Sequence, residues 1–145
     1  MNVDLKARCD AIEECYEFML AYAAQGVIEE ASSQSAGQLR AFLTRAEAAL
    51  IGLAEAYRSV VERDGFDAAD RFLAFIEVLD RDARSSLAAM QLVIAQPSIS
   101  SQLIDNLNAS IHVRALLTDL FLIDEIIKGR ARIDEGQRSN AKGQR

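Results

Sequence analysis

The chain has 145 residues, 50% of them apolar and 26% charged, with a formal net charge of −6. That size and balance suit one domain with a single buried core and exclude global disorder. A single Pro, no Trp and a preponderance of Ala, Leu, Glu, Arg and Gln over β-branched runs predict an all-α fold.

Charge is distributed unevenly. Residues 1–127 hold 10 basic and 20 acidic groups, net −10, whereas residues 128–145 hold 6 basic and 2 acidic groups, net +4. An acidic body argues against nucleic-acid binding, and the basic end reads as a solvated terminus. The longest uncharged run, Ser85 to Ile104, contains Pro97 and five serines, so it reads as a helix end, a turn and a helix start; no membrane insertion is expected. Without a signal-like N-terminus, a cytoplasmic location is expected.

Leu5, Cys9, Ile12, Tyr16, Met19 and Ala23 alternate steps of four and three, the rhythm of a helix face packed on partner helices. Gly26 offers a stop. Ser32 to Ser35 read as a loop, and residues 27–36 are left open between helix and extended chain. Leu39, Phe42 or Leu43, Ala46, Leu50, Leu53, Tyr57 and Val60 predict one continuous second helix ending at Asp64-Gly65. Asp67 and Asp70 can cap a third, which runs to about Gln96 with Phe72, Ile76, Leu79, Ala83, Leu87, Met90 and Ile94 inward. Pro97 terminates it. A fourth helix is predicted from Ser98 or Ser100 to Lys128. These elements predict an up-down-up-down antiparallel four-helix bundle over residues 1–128. Residues 129–145 lose periodicity and read as a disordered polar and basic tail.

No residue pattern commits to a chemistry, so catalytic, cofactor and metal sites are all read as none. A di-iron bundle needs Glu-x-x-His on two helices, and the chain has 1 His. Cys9 and Cys15 diverge on a helix and read as reduced, packed thiols; Met19 and Met90 likewise read as core rather than haem or metal ligands. Ser32, Ser33, Ser35, Ser98, Ser100 and Ser101 lack a GxSxG elbow or a second base. The aromatic hydroxyls of Tyr16, Tyr22 and Tyr57 define a further alternative, a small-ligand sensor binding in the bundle core.

A lone helical His within a four-helix bundle is similar to the arrangement in histidine phosphotransfer domains. The residues here are Ile111-His112-Val113-Arg114-Ala115-Leu116. The resemblance implies a phosphoryl-accepting His112 with Arg114 steadying the charge. Ala115 and Leu116 stand where that pattern has Lys and Gly.

The favoured expectation comes from surplus apolar surface. In the fourth helix, Ala109, Val113, Leu116, Leu120, Ile123 and Ile127 suffice for a core, yet Ile111, Leu117, Phe121, Leu122 and Ile126 extend apolar character around it. The first helix carries a second track of Ala11, Cys15, Phe18 and Tyr22. Uncovered apolar tracks mark interfaces. The reading is therefore a non-enzymatic interaction or regulatory protein that self-associates as a homodimer, or docks a helical protein partner, through helices one and four. Phe18, Tyr22, Leu117, Phe121, Leu122 and Ile126 are the expected surface.

Overall fold

The structure, a computed structural model, describes residues 3–143, with side chains through residue 140. Among the described residues it contains six α-helices and no strand: α1 (Val3–Ala24), α2 (Ala36–Leu50), α3 (Leu53–Asp64), α4 (Ala69–Ile94), α5 (Ser101–Ala109) and α6 (Ile111–Gly143), with one 3₁₀ turn at Glu30–Ser32. The all-helical class agrees with the sequence; the count of four helices does not.

Both additional breaks fall inside helices that the apolar rhythm runs straight through. Gly52 adopts a left-handed backbone, φ 82°, between α2 and α3, a conformation open to Gly without a Cβ penalty. Arg8 of α1 holds this corner, donating from Nη1 to the carbonyls of Ala49 at 3.1 Å and Ile51 at 2.6 Å. These are carbonyls at the end of α2 that lack helical partners. The second break is at Ser110, whose extended ψ of 131° separates α5 from α6. Its hydroxyl accepts from the His112 N–H at 3.2 Å. Because Leu50 and Leu53, and likewise Leu107 and Val113, are buried on both sides of their breaks, periodicity alone could not reveal either.

The other boundaries follow local chemistry. Gly26 and Gly65 take positive φ after α1 and α3, and Ser100 caps α5 by accepting from the Leu103 N–H at 3.1 Å. Ala68, not Asp67, precedes α4, in a left-handed backbone with φ 60° that carries a Cβ penalty.

α1 packs against α2 and α5, while α4 packs against α2, α3 and α6. α1 therefore has neighbours on two sides, and both of its apolar tracks are used internally. Leu5, Cys9, Ile12 and Met19 are buried, and so are Cys15 and Tyr22.

The disordered tail expected over residues 129–145 is corrected by α6, which continues as helix to Gly143; residues 144 and 145 lie outside the described residues. Ala, Arg, Glu, Gln and Lys in this stretch are helix formers despite sparse apolar content. Arg130 anchors its start. The guanidinium lies over the rings of Phe66 at 5.4 Å and Phe72 at 5.0 Å and donates to the Asp67 carbonyl at 2.9 Å.

Candidate docking face on α6

Of the six residues expected to form an apolar surface, three are exposed: Phe121 by 58%, Leu122 by 50% and Ile126 by 45%. The other three are corrected by the packing. Tyr22 is fully buried, its hydroxyl donating to the Ile99 carbonyl at 2.6 Å, because α5 covers that side of α1. Phe18 is half-buried and stacks on Phe42 of α2 with ring centroids 4.7 Å apart. Leu117 is buried. The exposed positions among these six thus belong to α6, and α1 contributes none of them; Leu20 of α1 and Leu92 of α4 are exposed elsewhere on the surface.

Ile133, missed because its segment read as disordered, is 61% exposed. Leu122, Ile126, Gly129, Ile133 and Gly136 follow steps of four, three, four and three along α6, which is the spacing of one helix face prepared for another helix. The signal lay in the sequence but crossed the assumed boundary at 128.

Beside this band, α4 and α6 enclose an open groove of about 260 Å³, bounded by Arg71, Phe72 and Phe75 on one wall and Leu122, Ile126 and Arg130 on the other. A second open crevice of about 540 Å³ follows, between the α3–α4 turn at Asp64–Asp67 and Ile133, Asp134 and Gln137 of α6. Arg130 lines both, so the two lie end to end along α6 as a trough divided at Arg130. The first groove has an apolar floor with Arg71 and Arg130 at its rim, suited to aliphatic and acidic side chains, whereas the second is mostly polar, with Asp64, Asp67 and Asp134 beside Arg130.

Three polar clusters hold the helices that carry this face. Tyr57 of α3 donates to Asp124 Oδ1 at 2.7 Å and lies 3.3 Å from Cys9 Sγ, joining α3, α6 and α1 in the interior. Burial raises the Asp124 carboxyl above its ordinary range, opposed by the Tyr57 hydrogen bond. The Cys9 and Cys15 thiols are pushed up to about 12, chiefly by burial, which leaves both protonated and inert at neutral pH. Across the α4–α6 seam, Asp119 is buried and no donor bonds its Oδ2. The adjacent group is the Asp82 carboxyl. Burial first, then a hydrogen bond and repulsion from Asp82, push the Asp119 carboxyl up to about 7, since two carboxyls bond only by sharing a proton. At the far end, Arg40 grips Glu30 through Nε at 2.6 Å and Nη2 at 2.9 Å, and donates to the carbonyls of Ile94 at 2.9 Å and Gln96 at 2.7 Å. Glu30 also accepts from the Ile99 N–H at 2.9 Å, closing the loop over the α4–α5 connection.

His112 and Arg114 are exposed in the first turn of α6, away from the trough. The hydroxyls of Tyr22 and Tyr57 are bonded to protein groups, whereas the half-buried Tyr16 packs at the core's edge. Among the described residues, no three His, Cys, Asp or Glu side chains gather as a metal site, and no helix is long and apolar enough to cross a membrane. No family model, curated protein or solved structure matches the chain.

Proposed function

We propose that the protein is a non-enzymatic helical interaction module, with a regulatory role, that self-associates through the outer face of α6. One observation carries this reading: Leu122, Ile126 and Ile133 stay 50%, 45% and 61% exposed along one helix face, beside an apolar groove whose aromatic wall comes from α4. Burying such side chains stabilises by roughly 1.5–3 kcal/mol each when exposure is complete beforehand, and proportionately less here. Solvent exposure of a contiguous apolar band in one helix is the usual mark of an interface.

The charge distribution favours a second copy as the partner. An acidic body and a basic end in one chain attract the opposite regions of another copy. Light scattering after size separation, over a range of concentrations, tests the proposal. The wild type is expected at twice the chain mass of 15.9 kDa, and the Leu122→Glu/Ile126→Glu double variant at the single-chain mass with unchanged helical circular dichroism. A wild type that remains a monomer throughout would overturn it.

A further inference from the structure

The self-association proposed above leaves open which part of the second copy occupies the trough and in which direction it runs. We infer that the occupant is the second copy's own α6, laid antiparallel, with its basic end along the acidic body of the first.

The length of the trough is the first argument. It extends from Leu122 to Gln137, about 22 Å at the 1.5 Å rise of a helix, which accommodates four turns of a partner helix. The second argument is the end of α6 itself. All residues from 131 to 140 are exposed, and an uncovered single helix of that length is marginal in water. Gly136 lies within it and Gly129 just before it, each less favourable than Ala in a helix interior by about 1 kcal/mol. The fold gives no reason for either: a Cβ on Gly136 would meet nothing within 4 Å, and one on Gly129 only the end of Arg132 at 3.9 Å. Both stand on the same face as Leu122, Ile126 and Ile133, where small residues let a second backbone approach.

Charge sets the direction. In a parallel pair, the two bodies, each net −10, lie side by side, and the two segments of net +4 lie together. An antiparallel pair sets each basic segment along the opposite body. It is also compatible with the flanks. Glu125 and Arg132, both 69% exposed, lie on the same edge of the apolar face, seven residues apart, and pair with each other at 3.3 Å within one chain. In antiparallel register, Glu125 of each copy exchanges this partner for Arg132 of the other. The same register places Leu122 of one copy against Ile133 of the other and crosses the two helices near Gly129. The interface is isologous and closes as a two-fold dimer.

Cysteine cross-linking tests the arrangement on the full-length chain. Leu122→Cys and Ile133→Cys are made separately, and one of them is tagged for size. Both positions are exposed, so neither change empties the core, and the buried, protonated Cys9 and Cys15 stay silent. A disulfide requires Cα atoms within about 7 Å, whereas in the antiparallel dimer two copies of residue 122 stand roughly 16 Å apart along the axis. The expected result is rapid oxidation to a disulfide-linked heterodimer when the two variants are mixed, with neither linking to itself. Self-linking of each variant without a mixed product would overturn the antiparallel arrangement, and so would a dimer that links in neither way; self-association would survive both. A chain that stays monomeric on light scattering would overturn the arrangement and self-association alike.

Discussion

Tyr57 and Asp124 meet inside the molecule through a 2.7 Å hydrogen bond, the hydroxyl donating, and this bond joins the short α3 to the long α6. Asp124 follows Leu122 by two residues, so the buried bond fixes the rotation of α6 that turns Leu122 and Ile126 outward. Tyr57→Phe keeps the ring and removes the donor. The carboxylate then loses the bond that offsets its burial, and stability is expected to fall by about 1–3 kcal/mol, read from the midpoint of urea unfolding. A variant as stable as the wild type would show that the bond contributes nothing.

The Asp82–Asp119 pair gives the fold a pH dependence of definite sign. Asp119 has an ordinary carboxyl pKa of 3.8 that is pushed up to about 7 in the folded chain. The folded state therefore binds more protons than the unfolded state between these values, and stability falls as pH rises through that window. Asp119→Asn supplies an amide donor to Asp82 without the second charge. Urea unfolding at pH 5 and pH 8 should show the wild type weakening at the higher pH, and Asp119→Asn weakening distinctly less. An identical decline in both would contradict a shared proton.

Glu30 and Arg40 make an opposite contribution. The Arg40 hydrogen bonds hold the Glu30 carboxyl below its ordinary range, so this pair stabilises above the unfolded carboxyl pKa and is lost as pH falls through the lowered one. Arg40 also satisfies two carbonyls at the end of α4. Arg40→Met is expected to lower stability by roughly 2 kcal/mol, and Arg40→Lys to recover only part, because an ammonium cannot reproduce the planar fork. Full recovery by Lys in thermal melts would show that charge alone matters.

The inward stripes were legible because each is reinforced over several turns: Leu39, Leu43, Ala46, Leu50, Leu53, Tyr57 and Val60 are all buried. That same regularity concealed the break at Gly52, since the stripe resumes in phase on the far side. Tyr22 and Leu117 illustrate the opposite difficulty. A second apolar track can face solvent or a second neighbour, and for Tyr22 the packing of α5 on α1 decided between them. Composition misled at the C-terminal end, where sparse apolar residues suggested disorder while the helix formers and the Arg130 anchor extended α6. With the boundary set at 128, the continuation of Leu122 and Ile126 into Ile133 went unread, and the docking face was recognised only in part.

The most direct measurement of the central claim is amide hydrogen exchange across residues 131–143 at low and high protein concentration. Paired α6 helices protect these amides only when a second copy covers them, so protection should rise with concentration while that of the buried α1 core stays constant. Exchange in this segment that is rapid and independent of concentration would contradict self-association through α6.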